Sequence, residues 1–278
     1  MLRVTPRSLL FVPGDRPDRF AKAQASGADA LILDLENSVE PARKAEARAA
    51  VRDFALGRAD VLVRINPLDS IFVDDDLAAL DGLSLGGVVL PKAEGADSVR
   101  DVARRLPGVA ILPIATETPR AVFELGSYAH VTEHLLGLTW GAEDLPAAIG
   151  AMTSRLADGN YTPPYELARS LTLFAAHAAA VAAIETVVPD FRDLDRLKHY
   201  AECGRRDGFS GMMAIHPAQV PVINAAFTPS AEEIARAERI VAAFEASPDA
   251  GALQLDGRMI DAPHLKAAKR LLAMARAL

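Results

Sequence analysis

A chain of 278 residues that is 50% hydrophobic can bury a large core, and barrel-type domains commonly reach this length as one unit. A formal net charge of -7, a pI near 5.4 and basic residues scattered among acids give no general field for nucleic acid or an anionic membrane, so a small molecule is the expected partner. The single cysteine, Cys203, excludes an intrachain disulfide and a cysteine-based zinc site. With neither a secretory leader nor an apolar run of about 18 residues, the expectation is a cytoplasmic protein.

Eight short apolar runs follow in chain order. They are SLLFVPG (Ser8 to Gly14), ALILDLE (Ala30 to Glu36), VLVRIN (Val61 to Asn66), GVVLPK (Gly87 to Lys92), AILPIATE (Ala110 to Glu117), LLGLTWGAED (Leu135 to Asp144), VAAIETVV (Val181 to Val188) and GMMAIHP (Gly211 to Pro217). Each is rich in Val, Ile and Leu, and a longer polar or Ala-rich stretch suited to a helix separates it from the next. Buried parallel strands alternate with covering helices in this way. Eight such units predict a (β/α)8 TIM barrel, whose chemistry gathers at the C-terminal strand ends. Asp34, Glu36, Arg64, Lys92, Glu117 and Asp144 are then expected around one mouth.

The interval between runs six and seven is the longest, and Gly159-Asn160 and Pro163-Pro164 break it into two helical patterns with an extra loop. After Pro217, AQVPVINAAF reads as the eighth helix. Ser230 then N-caps a further helix, with Glu233 as its capping-box partner, running to about Phe244. SPDAGALQLDGRMIDAP carries a short hairpin, and His264 to Leu278 resumes helical spacing. The expected division is a barrel over 1–228 and a helical extension over 229–278, packed against the barrel floor or closing the mouth as a lid.

Glu117 and Asp144 fall on adjacent strand ends. Two carboxylates suit Mg2+, with Mn2+ as a substitute, because such ions keep their other positions for water and substrate; solvated or salt-bridged acids are the alternative reading. Arg64 sits between Val63 and Ile65, an apolar setting in which a guanidinium needs an anion. A substrate carboxylate, an enolate oxygen, and a salt bridge to Asp34 or Glu36 all meet that need. Lys92 reads as a charge partner for the same acids or for substrate. His216 either faces the site or makes a structural hydrogen bond. Arg16, Arg19 and Lys22, around the first strand-to-helix connection, either bind a phosphate or form a solvated helix surface. Nucleotide-binding glycine motifs and the serine-hydrolase Gly-x-Ser-x-Gly are missing.

In order along the chain, FVPGDRPDRFAKA, ALILDLENSV, VRINPLDS, VVLPKAE, ETP, GAEDL, AIHPAQVPVINAAFTPS and DGRMIDAP resemble the citrate lyase β-subunit-like family. That family groups with the malyl-CoA and citramalyl-CoA lyases and the HpcH/HpaI aldolases. The resemblance, from about Ser8 to about Leu272, implies a (β/α)8 barrel with Mg2+ on Glu117 and Asp144, a catalytic Arg64 and a supporting Asp34 with Glu36. It also implies a coenzyme A thioester as substrate, its phosphates on Arg16, Arg19 and Lys22. A homo-oligomer, trimer or hexamer, is implied too, in which the C-terminal segment covers a neighbouring subunit's site and donates Asp261. That aspartate equally suits the start of the last helix. Asn37 stands where the family often has an acid. The reaction so implied splits a β-hydroxy acyl-CoA such as citryl-, malyl- or citramalyl-CoA into a keto acid and acetyl-CoA, or joins them. A metal-dependent aldolase on free keto or hydroxy acids and a non-catalytic CoA-binding subunit are the alternatives.

Overall fold

Leu9, Ile32, Leu62, Val89, Leu112, Ile184 and Met213 come from seven parallel strands and pack into one buried cluster. Side chains that far apart in sequence meet because the sheet curves round until its two edges join. The computed structural model describes residues 5–277; Leu278 and residues 1–4, which the expected boundaries include, lie outside them. The strands are β1 (Ser8–Pro13), β2 (Ala30–Asp34), β3 (Arg58–Arg64), β4 (Leu85–Leu90), β5 (Ile111–Pro113), β6 (Gly137–Thr139), β7 (Ala182–Glu185) and β8 (Gly211–Ala214). All pairings are parallel, in the order β5-β4-β3-β2-β1-β8-β7-β6. Isolated bridges Ile111↔Leu135 and Ile114↔Thr139 join the two ends, and the barrel closes there.

The covering helices are α1 (Phe20–Gln24), α2 (Lys44–Ala55), α3 (Val73–Leu80), α4 (Ala96–Arg105), α5 (Pro119–Glu124), α6 (Leu145–Ile149), α7 (Pro163–Ala178), α8 (Leu194–Asp207) and α9 (Val220–Ala226). Local chemistry starts them where the loops require. The hydroxyl of Thr118 accepts from Ala121 N at 3.1 Å and Pro119 fills the first turn of α5, while Asp193 accepts from Arg196 N at 3.0 Å to open α8. Runs five and six form shorter strands than their apolar length suggests. Glu117 and Asp144 therefore stand on loops past β5 and β6, each just ahead of a helix.

Strand alternation decides which side chains reach the mouth. With Ile32 and Leu62 facing the interior, Asp34 and Arg64, two positions further on, face it too and sit above the core. Each fully buried Leu or Ile below them contributes ~1.5–3 kcal/mol, so the floor of the mouth is firmly held. Ile184 faces inward as well, and Glu185 beside it turns outward into the helix layer.

The chain divides into two compact units, one running to Asn224 and the other from Ala225. In the second, Ser230 caps α10 (Ala231–Glu245) in a full capping box with Glu233. A hairpin follows, β9 (Ala252–Leu255) antiparallel to β10 (Arg258–Asp261), and then α11 (Ala262–Ala277). Ala237, Ile240, Ile260 and Ala268 form this unit's own small core.

Candidate active site

Asp34 and Arg64 are register partners on β2 and β3, joined by two hydrogen bonds, Nε to Oδ1 and Nη2 to Oδ2, each 2.7 Å. Arg64 Nη1 also lies 2.9 Å from Glu36 Oε2, at an angle that makes no hydrogen bond, so this buried oxygen is left unsatisfied. The guanidinium rests 4.8 Å from the Phe11 ring centroid. Burial opposes its charge, yet Asp34, Glu36 and Glu117 together hold it protonated well above its ordinary value. Burial likewise opposes ionisation of Asp34, but Arg64 and the N–H groups of Ser38 and Glu36 outweigh it and keep the carboxylate below the usual range.

Lys92 links the two sides of the mouth. Its ammonium donates to Glu36 Oε1 at 2.8 Å and lies 3.3 Å from Asp144 Oδ1. Its backbone takes a left-handed φ of 49°, a conformation costing a non-glycine residue ~1–2 kcal/mol, and this turns the N–H onto Glu117 Oε2 at 2.6 Å. Burial lowers the ammonium's affinity for its proton, and the bond to Glu36 more than restores it.

Glu117 is the electrostatic outlier. Burial, with Asp144 and Glu36 nearby, pushes its carboxyl up to about 8 against the opposing pull of the Lys92 N–H. Gly141 makes room for it: a Cβ there would stand 2.8 Å from Glu117 Cγ. Four acids, Asp34, Glu36, Glu117 and Asp144, face two cations, Arg64 and Lys92, so the cluster holds one surplus negative charge while Glu117 keeps its proton and two once it ionises. The raised Glu117 registers that surplus. Oxygen donors with such a surplus of negative charge suit a hard divalent cation. Among the described residues no group of three or more His, Cys, Asp and Glu forms a full protein cage, and Mg2+ bound by two carboxylates needs none.

The other expected residues fall as follows. Arg16 is held by Asp18 at 2.9 and 2.8 Å, and Arg19 and Lys22 are exposed on the rim after β1. His216 stacks on Phe191 at 4.5 Å and accepts from Ala218 N, the structural role among its two readings. Asn37 is exposed. Asp261 closes β10, and hydrogen bonds with His264, whose Nδ1 is 2.6 Å away, hold its carboxylate low; that fits a helix start.

Two features escape a reading of the runs alone. One is the pairing of Gly141 with Glu117. The other is Glu185, fully buried and bonded to Trp140 Nε1 (2.5 Å), Arg169 Nε (2.7 Å) and Tyr200 (2.9 Å) in the helix layer. Strand parity with Ile184 is the signal that separates it from the mouth acids.

The fold and cluster define a (β/α)8 barrel protein with its charged groups gathered at the C-terminal face, the layout of barrel enzymes. The chain belongs to the HpcH/HpaI aldolase/citrate lyase family, whose pattern matches residues 7–217. It is 39% identical over 274 residues to a citrate lyase subunit beta-like protein of Mycobacterium tuberculosis, covering 99% of this chain and 97% of that one. It is 34% identical over 280 residues to the (3S)-malyl-CoA thioesterase of Cereibacter sphaeroides, covering 98% and 95%. Among solved structures, protein CitE of M. tuberculosis in complex with magnesium, acetoacetate and coenzyme A superposes with a TM-score of 0.87 at 37% identity, over 99% of this chain and 100% of that one. No helix among the described residues is long and apolar enough to cross a membrane.

Proposed function

We propose that this chain is a Mg2+-dependent carbon-carbon lyase acting on a β-hydroxy acyl-CoA that carries a carboxylate next to its hydroxyl. The observation that carries the reading is the surplus of carboxylates over cations in the mouth cluster around Glu117 and Asp144. Family membership supports it, as do the magnesium, acetoacetate and coenzyme A held by the CitE neighbour.

Glu117 and Asp144 would hold the ion, which when bound supplies a Lewis acid that makes the substrate hydroxyl more acidic. Arg64, fixed by Asp34 and flanked by Glu36, keeps its charge throughout and faces the oxygen on which negative charge develops. Lys92 steadies the substrate carboxylate. Asp261, delivered by the segment 229–278 acting as a lid, takes the hydroxyl proton as the carbon-carbon bond breaks. The electron pair moves onto the thioester fragment as its enolate, and protonation at carbon gives acetyl-CoA beside the free keto acid. Arg16, Arg19 and Lys22 take the CoA phosphates. The biological unit in this reading is a homo-oligomer, trimer or hexamer, in which the lid serves a neighbouring site.

The test is a panel of citryl-, malyl- and citramalyl-CoA with Mg2+, following keto acid and free thiol separately. Keto acid released without free thiol is expected. Free thiol without keto acid would make the chain a thioesterase, and binding with neither product would make it a CoA-binding subunit. Cleavage of the free acids without CoA would make it an aldolase.

A further inference from the structure

Lys92 touches both acids of the proposed metal pair with different parts of itself. Its backbone N–H holds Glu117 Oε2 at 2.6 Å, and its ammonium stands 3.3 Å from Asp144 Oδ1. We propose that Lys92 is a built-in rival of the divalent ion: its tethered ammonium competes for Asp144, lowers metal affinity below what the carboxylates alone would give, and passes wholly to Glu36 when the ion binds. This rests on the metal reading of Glu117 and Asp144 and concerns what tunes that site.

The two contacts of the ammonium are unequal. Glu36 holds it at 2.8 Å with a carboxylate only 4% exposed, whereas Asp144 is 3.3 Å away and 32% exposed. The Asp144 contact is the one that yields. A lysine suits this part because its charge is a compact point on a flexible stem, able to keep one partner while leaving another. Arg64, the other cation of the cluster, commits its fork to Asp34 through two 2.7 Å bonds.

Withdrawal has a limit. The left-handed backbone pins the Lys92 N–H to Glu117, so the side chain stays in the mouth even after it leaves Asp144. An ion taken up by Glu117 and Asp144 then has a like charge a few ångströms away. At the effective dielectric of a partly exposed site, that repulsion is worth more than a tenfold change in affinity. Once released from Asp144, the ammonium is free to turn toward a substrate carboxylate while Glu36 anchors it, which couples metal uptake to readiness for substrate.

The experiment titrates Mn2+ into chelator-stripped protein and measures free ion by electron paramagnetic resonance. Lys92→Met is expected to bind Mn2+ at least about tenfold more tightly than wild type, and Lys92→Arg, which keeps the charge, to show no such gain. A merely structural lysine predicts the opposite, weaker binding in Lys92→Met. Unchanged or weaker binding in the folded Lys92→Met variant overturns the proposal. Lys92→Gly removes the same ammonium while making the left-handed backbone unstrained, so it is read in the same way if the methionine variant does not fold. Wild-type protein that takes up no Mn2+, with Glu117→Gln and Asp144→Asn indistinguishable from it, sinks the metal reading itself. Uptake that those two variants lose, but that Lys92→Met and Lys92→Gly do not tighten, sinks this inference alone.

Discussion

Asp34 and Arg64 stand opposite each other in the β2–β3 register, and their side chains meet in two parallel 2.7 Å hydrogen bonds above the barrel core. A buried fork of this kind fixes the guanidinium plane, so the donors that remain point in one direction. Arg64→Lys keeps a charge and loses the plane. It is expected to lower kcat by on the order of a hundredfold with a small change in KM, because oriented donors matter most where charge develops. Steady-state kinetics check this, and a change confined to KM would move Arg64 to ground-state binding.

Asp34→Asn removes the doubly bonded carboxylate and leaves a buried cation whose nearest remaining charged partner is Glu36. Unfolding free energy at pH 7 is expected to fall by about 3 kcal/mol, the low end of the cost of breaking a buried pair, measured by urea denaturation. The pH dependence follows from the sign of the shift. The folded-state value of Asp34 is lowered from 3.8, so its stabilisation is fully present above that value and is lost as pH falls through the folded value. The gap in urea midpoint between wild type and Asp34→Asn should therefore stay constant from neutral pH down to about 4 and close below it. A gap that persists at the acid end would show that the pair is not the source.

Glu117→Ala and Asp144→Ala should each abolish Mg2+-dependent turnover while the fold survives, since each side chain lies beyond the strands. In metal-free protein Glu117→Gln should raise the urea midpoint, because burial beside Asp144 and Glu36 disfavours the charged carboxylate. Turnover retained by both alanine variants in excess Mg2+ would remove the metal from these residues.

Gly141→Ala places a methyl 2.8 Å from Glu117 Cγ and 3.2 Å from Ile114 Cγ2. Ile114 belongs to the core, so the carboxylate side chain is what gives way. Mn2+ affinity should weaken by roughly 10–100-fold, the usual cost of disturbing a ligand's support, with little change in thermal midpoint.

Asp261→Asn should cut kcat by ~10²-fold or more as a lost proton carrier, with Mn2+ affinity untouched. Mixing inactive Asp261→Asn and Glu117→Ala proteins should restore part of the activity if the lid serves a neighbouring subunit. A mixture as inactive as its components would confine Asp261 to its own chain or remove it from the chemistry.

The alternation of apolar runs and helical stretches made the barrel legible, because buried parallel strands need continuous Val, Ile and Leu. The charged ends of runs two to six pointed to the mouth for the same reason: a polar residue directly after such a run leaves the core at the C-terminal rim. Runs five and six were less legible. Each forms a strand of only three residues, beyond which pairing goes on only through single contacts such as Ile114 N to Leu90 O and Ala115 N to Thr139 O. Glu185 looks like Asp34 in sequence, an acid after an apolar run. Only the position of Ile184 in the shared core shows that it points the other way. The contacts that Lys92 makes through its backbone depend on a torsion angle, for which a Pro-Lys pair in sequence carries no sign.

The barrel's joint between β5 and β6 is held by isolated bridges instead of a continuous ladder, and Glu117 and Asp144 stand on the loops that leave those two strands. An ion gripped by both acids would act as a rivet across the thinnest seam of the wall. Loading and closure would then be one thermodynamic event, so Mg2+ should slow amide exchange at Leu136 and Ala115, whose N–H groups cross the seam to Ile111 and Thr139, and leave the β2–β3 ladder unchanged.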